Sequence, residues 1–167
     1  ELLGQERGGM AIMFNMMNEA RILMGIQGAS TGSIAYLTAL QYAKERVQGK
    51  NIKDMMKPDA ADTQIINHPD VRRMLIWMKT QVEAMRALYL YCTYCLDMTK
   101  ATGDEKWKGI AELILPVAKA YNTDQGFKVT EQAIQCYGGY GFCQDYPVEQ
   151  FMRDMKIGSL YEGTNGI

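Results

Sequence analysis

The residues able to do chemistry fall in four short stretches. The first, at the C-terminal end, is SLYEGTNGI, residues 159–167, which sets Glu162 between Tyr161 and the pair Gly163-Thr164. A carboxylate beside an aromatic ring and small residues is either a solvated surface charge or an acid–base group with room for a ligand against it. Glu is rarely buried without a partner, so the rest of the chain has to decide. The second stretch, Cys92-Thr93-Tyr94-Cys95, has CxxC spacing. Zinc would need two more ligands, and only His68, Cys136 and Cys143 remain, widely placed; cysteines inside the apolar run AMRALYLYCTYCLDM read as small hydrophobes. No metal site is expected. The third, Gly28-Ala29-Ser30-Thr31-Gly32, is a literal GxSxG. A hydrolase elbow needs a strand before the serine and a helix after it, with an acid and a histidine in reach. Here helical pattern lies on both sides, and His68 is the sole histidine. The fourth, Gly138-Gly139-Tyr140-Gly141, either cradles a phosphate through backbone N–H groups or only turns a corner. It has neither the Lys-Ser/Thr of a P-loop nor a strand in front.

The elements that must hold these residues read as helix almost throughout. Ile12, Met13, Met16, Met17, Ala20, Leu23 and Ile26 recur with a 3.6-residue period that resumes through Ile34, Leu37, Leu40 and Ala43. A first helix is expected over residues 10–49, with Gly49 as its stop. Residues 50–66 read as loop. A second helix is expected from His68-Pro69 to Lys100, broken by Thr102-Gly103-Asp104, and a third over 105–137, kinked at Pro116. A short amphipathic helix near 147–157 closes the chain, and no strand is expected. The fold class is all-α: an antiparallel four-helix bundle of three long helices and a shorter C-terminal one. Small residues at Gly25, Gly28, Ala29, Gly32 and Ala35 suit close approach of a neighbouring helix, or else of a ligand or partner subunit.

At 167 residues the chain fits one domain with a real core. A net charge of −1 leaves no footprint for nucleic acid or an anionic membrane. No apolar run reaches the roughly 20 residues of a membrane span. Unpaired core thiols fit a reducing compartment, so a cytoplasmic protein is expected, or a matrix one in a mitochondrion. The opening ELLGQERGG reads as an interior connection over residues 1–9, and both ends are expected to be cuts in a longer protein.

Several of these signals fall in one order. The segment QAIQCYGGYGFCQDYPVEQFMRDMKIGSLYEGTNGI closely resembles the C-terminal part of the acyl-CoA dehydrogenase family, with its Gln-x-x-Gly-Gly-x-Gly, Tyr-Pro-Val-Glu-x-x-x-Arg-Asp and Tyr-Glu-Gly-Thr motifs at fixed spacing. Upstream, NEARILMGIQGAS is similar to the start of that family's substrate-side helix, and ALQYAKERVQG to the end of its cofactor-contacting helix. The resemblance covers the C-terminal all-α domain of a larger flavin-dependent dehydrogenase, and it implies roles. Glu162 is the base that takes the α-proton of an acyl-CoA thioester while a hydride leaves the β-carbon for FAD, giving a trans-2-enoyl-CoA. Some members carry the base directly before the Arg of the substrate-side helix; that position is Ala20 here, and Glu19 lies about 100° round the helix.

Asn18, Arg21 and Gly163 are implied on the substrate side. Arg46, His68, Gln135, Gly138, Gly139 and Thr164 are implied at the cofactor, with Arg46 reaching a flavin pyrophosphate across a subunit interface. ERVQGK is one residue shorter than the family's pattern, and Pro69 replaces the Gln that usually follows the His. His68 therefore reads equally as a helix start or a cofactor contact. An electron-transfer flavoprotein is the implied acceptor, and a homodimer or homotetramer the implied assembly. The chain alone is expected to be inactive. The alternative is a non-catalytic helical module for assembly or interaction.

Overall fold

A computed structural model describes residues 4–166, apart from the side chain of Asn15. Residues 1–3 of the expected connecting segment lie outside the described residues. Four α-helices account for most of the chain: α1 (Gly9–Glu45), α2 (Pro69–Thr102), α3 (Glu105–Tyr137) and α4 (Val148–Lys156). The all-α expectation holds.

Local chemistry sets the ends. Pro69 opens α2, where its missing N–H costs nothing. Gly103 stops α2, its N–H reaching Thr99 O at 2.9 Å. The Asp104 carboxylate then accepts from Lys106 N at 2.8 Å and caps α3. Residue pairs across the bundle give the helix directions. Gly25 meets Ala118 and Gly28 meets Asn122, so α1 and α3 run parallel. Tyr94 meets Trp107 and Gln81 meets Tyr121, so α2 runs against α3. Lys156 lies over Phe127 and Gly158 meets Thr123, so α4 runs against α3 too. The result is an up-down-up-down bundle with α3 packed on the other three helices.

The small-residue stripe belongs to helix packing. A Cβ on Gly28 would collide with the Asn122 backbone, and one on Gly126 would lie 2.7 Å from Gly28 O. The two backbones therefore touch, which offsets the propensity cost of glycine in a helix. Asn122, fully buried, donates to Gly25 O at 3.0 Å and Met85 O at 3.2 Å, tying three helices together. Ser30 is exposed in mid-helix, with none of the surroundings of a nucleophile elbow. Cys92, Cys95 and Cys136 are buried free thiols, while Cys143 is exposed. No metal-binding group occurs among the described residues. None of the described helices is long and apolar enough to cross a membrane.

Two expectations are corrected. α1 ends at Glu45, not Gly49: Arg46 is already extended, its N–H closing on Tyr42 O at 2.8 Å. The expected loop and absence of strand give way to a two-stranded antiparallel hairpin, β1 (Val47–Lys50) and β2 (Asp62–Gln64). Val47 pairs with Gln64 and Lys50 with Asp62, so β1 carries one extra residue, a bulge. Strands of four and three residues are too short for alternation to register in sequence. At Pro116 α3 runs on as one helix, with the ring exposed at its surface.

Candidate active site

The loop carrying Glu162 begins where α4 runs into a short 3-10 turn, Ile157–Ser159. Glu162 then adopts φ +55° and Gly163 φ +91°. Gly163 takes a left-handed backbone freely, whereas Glu162 does so at a cost of order 1–3 kcal/mol and must be held there. The bonds around it do the holding. Tyr161 donates its hydroxyl to Gln27 Oε1 on α1 at 3.2 Å, and Asn165 N donates to Ser159 O at 3.1 Å. Thr164 Oγ donates to the same carbonyl at 3.5 Å. From α3, the Lys119 ammonium donates to Gly163 O at 2.6 Å and to Asn165 Oδ1 at 2.8 Å. Lys119 is only 3% exposed.

Beside this loop lies a cavity of about 320 Å³, lined by Arg21, Pro116, Lys119, Ala120, Gly163, Thr164 and Asn165. Arg21 comes from α1, and a Cβ on Gly163 would sit 3.3 Å from its Nη2. Any larger residue at 163 would thus press on the guanidinium. Glu162 is half-buried and adjoins the cavity through Gly163, without being one of its lining residues. Among the described residues its carboxylate takes neither a hydrogen bond nor an ion pair. Burial holds the Lys119 ammonium below the usual lysine range; Asp124 opposes this, Arg21 adds to it, and Glu162 opposes it again. Asn18 is half-buried one turn before Arg21 and is not among the residues lining this cavity, while Glu19 is exposed.

A second cavity, of about 390 Å³, lies where α1, the hairpin and the C-terminal end of α3 meet. Its lining includes Arg46, His68, Gln135 and Gly138, four of the six residues expected at the cofactor. His68 stands at the start of α2, as the helix-start reading expects, without a side-chain cap bond, and its Nε2 lies 2.8 Å from Gln48 O. Arg46 packs its guanidinium 5.2 Å from the Tyr140 ring centroid, and Tyr140 stacks on Tyr146. Arg46 Nε is buried with no partner among the described residues. Gly138 has φ +61°, and nothing lies within 4 Å of a Cβ built on Gly138 or Gly139. The space around the two glycines is open, while the Gly138 N–H is itself taken by Gln135 O.

The two cavities are well apart. Arg21 and Arg46 differ by 25 positions along α1 and its C-cap, which at helical rise is roughly 37 Å. Thr164 lies at the first cavity, away from the other expected cofactor residues. Sequence reasoning missed Lys119, Asn165 and Tyr140. A lone lysine between Ala118 and Ala120 in the apolar run ILPVAKAY was the available signal for the first.

The class defined here is an all-α bundle with one cavity beside a carboxylate-bearing loop and another at the hairpin end. Residues 7–167 match the acyl-CoA dehydrogenase C-terminal domain family, and the chain belongs to it. It is 43% identical over 171 residues to a broad-specificity linear acyl-CoA dehydrogenase of Mycobacterium tuberculosis, covering 99% of this chain and 28% of that protein. The solved butyryl-CoA dehydrogenase of Megasphaera elsdenii superposes with a TM-score of 0.79 at 30% identity, over 98% of this chain and 37% of that one. A chain in the structure of the electron-transferring flavoprotein of Acidaminococcus fermentans is 31% identical with a TM-score of 0.79, over 99% of this chain and 38% of that one. The chain thus spans a little over a quarter of the length of the M. tuberculosis relative.

Proposed function

We propose that this chain is the C-terminal domain of a larger FAD-dependent acyl-CoA dehydrogenase, in which Glu162 abstracts the α-proton of an acyl-CoA thioester. The observation that carries the reading is the Glu162 loop itself. A glutamate sits in a held left-handed backbone beside a cavity, with its carboxylate unengaged among the described residues. A base needs a free lone pair and a fixed origin, and this loop supplies both. An acyl chain lying against Tyr161 would keep bulk water away from the carboxylate. Arg21 lies at the cavity wall and suits the polar end of the substrate, with Asn18 one turn away along α1. Gly163 leaves room for the ligand to approach.

The residues of the second cavity fit FAD on the grounds of chemistry. A buried, unpartnered guanidinium N–H beside an open glycine turn suits a pyrophosphate, which Arg46 can bind in fork geometry. Gln135, Gly138 and Gly139 would hold the adenosine half and His68 would border it. When bound, FAD supplies the hydride acceptor for the β-carbon. A flavin joined to Thr164 at one cavity and Arg46 at the other within one chain would have to bridge roughly 37 Å, so we assign the two contacts to neighbouring copies in a homodimer or homotetramer. Exposed Leu23, Ile34 and Leu37 along α1 supply apolar surface for that assembly. The same surface is what a non-catalytic assembly module would offer, and the unengaged Glu162 favours the enzyme. An electron-transfer flavoprotein is the proposed acceptor, and a reducing compartment, cytoplasmic or matrix, the proposed location.

The test is Glu162→Gln in the full-length protein. FAD content and acyl-CoA binding are expected to stay, while stopped-flow flavin bleaching at saturating substrate slows by about 10²–10⁴-fold. Bleaching at the wild-type rate would remove Glu162 as the base.

A further inference from the structure

The geometry points to Lys119 as the positioning residue of the Glu162 base, acting through Asn165. This rests on the reading of Glu162 above and adds a residue to it.

Glu162 occupies a backbone region that glutamate adopts only under constraint, and its own carboxylate makes no bond among the described residues. What aims it must therefore grip the backbone on either side. On the N-terminal side the grip is the Tyr161 hydroxyl on Gln27. On the C-terminal side it is concentrated on one face of α3. Lys119 binds Gly163 O and Asn165 Oδ1, and Asn165 Nδ2 in turn donates to Ala120 O at 3.3 Å, Thr123 Oγ at 2.8 Å and Asp124 Oδ1 at 2.8 Å. One buried cation and one amide thus fasten the residues just after the base to α3 over little more than a turn.

Holding a carbonyl and an amide does not by itself demand a buried charge, which is costly to desolvate. Burial lowers the pKa of this ammonium, Asp124 opposes that, Arg21 adds to it and Glu162 opposes it again, and the cation donates to Gly163 O and Asn165 Oδ1 on the loop that carries the base. In the proposed step the α-proton passes to Glu162, and both observed contacts of Lys119 are to the loop that carries it. The effect of Lys119 is on where the Glu162 carboxylate points and on how well that direction is kept.

The test uses the FAD-loaded full-length protein. Lys119→Met keeps the side-chain length and removes all three donors. FAD content and acyl-CoA affinity are expected to stay within about threefold, while flavin reduction at saturating substrate falls about tenfold or more, a loss in kcat without a matching change in KM. Hydrogen exchange should rise across residues 159–166 and stay unchanged in α1 and α3. In a Glu162→Gln background the same substitution should cost less than about twofold, because the base it positions is gone. A general packing role would instead slow both backgrounds by the same factor, and that result overturns the proposal. So does wild-type bleaching by Lys119→Met while Glu162→Gln is slow. If Glu162→Gln itself bleaches at wild-type speed, the base assignment fails, and the positioning role fails with it. Asn165→Ala, a change at a half-buried loop residue, repeats the series should Lys119→Met not fold; there too, equal slowing in both backgrounds overturns the idea.

Discussion

The two cavities are built on the same helices and finished differently. Around Glu162 the polar groups close on one another: the buried ammonium of Lys119 has two acceptors, Asn165 has three, and the Tyr161 hydroxyl has Gln27. Around Arg46 they do not. Its Nε is buried without a partner among the described residues, its guanidinium rests on the Tyr140 ring, and the adjoining glycines face open space. Leaving a buried donor unsatisfied costs about 1–3 kcal/mol, so the Arg46 region is incomplete in a way the Glu162 loop is not. One end is preorganised within the chain. The other leaves a buried donor open, which on the proposed reading a cofactor oxygen satisfies.

That contrast is tested first by activity. Glu162→Gln should cost about 10²–10⁴ in flavin reduction with cofactor retained. Arg46→Ala should do the reverse. A charged hydrogen bond is worth about 1.5–3 kcal/mol, so FAD retention should weaken about 10- to 150-fold in equilibrium dialysis, with near-normal bleaching in the fraction still loaded. If Arg46→Ala retains cofactor as the wild type does, the incompleteness has another cause.

The next effect is on the scaffold shared by both ends. Gly28→Ala drives a methyl into the Asn122 backbone, and overpacking of this kind costs about 1–3 kcal/mol. Chemical denaturation should show the loss, and both FAD content and bleaching should fall together, unlike either site substitution.

A smaller effect separates the ends by pH. Burial raises the Cys136 thiol, at the second cavity, from 9.0 to about 11. The folded state therefore keeps a proton that the unfolded chain releases, and stability contributed below pH 9 is lost as pH rises from 9 towards 11. Lys119 has the opposite sign. Its folded-state pKa lies below 10.5, so the unfolded chain holds the extra proton and stability rises as pH climbs toward 10.5. Cys136→Ala should flatten the alkaline loss, whose slope is at most about 1.4 kcal/mol per pH unit; an unchanged slope would contradict the burial argument. The smallest test is thiol labelling of the native protein. Cys143 should react at once and Cys92, Cys95 and Cys136 only on unfolding; prompt reaction of a second thiol would contradict the packing of α2 and α3.

Much of this was legible in the sequence because it rests on long unbroken helical stretches and on glycine or proline punctuation. The three long helices run over more than thirty positions each, and Pro69 and Gly103 mark the two ends of α2. The hairpin was not legible, since strands of four and three residues with a bulge carry no period. The residue types at the site were readable from the family's motifs, and Arg46, His68, Gln135 and Gly138 do meet at one cavity. Their separation from Thr164 was not, because spacing along a chain does not give distance between helices. Lys119 and Asn165 act through contacts 44 and 46 positions apart, beyond the reach of any local pattern.

The contact between Gly28 and Gly126 sets more than packing. Where two backbones touch, neither helix can slide past the other without lifting off, so α1 and α3 are keyed like a tooth in a notch. Arg21 and Arg46 travel with one helix, Lys119 and Gln135 with the other. A slip by one turn, about 5.4 Å, would pull Arg21 out of line with Lys119 and Arg46 out of line with Gln135 in a single movement. Two distant pockets are thus calibrated by one pair of glycines, and neither can be retuned by sliding a helix while the other stays as it is.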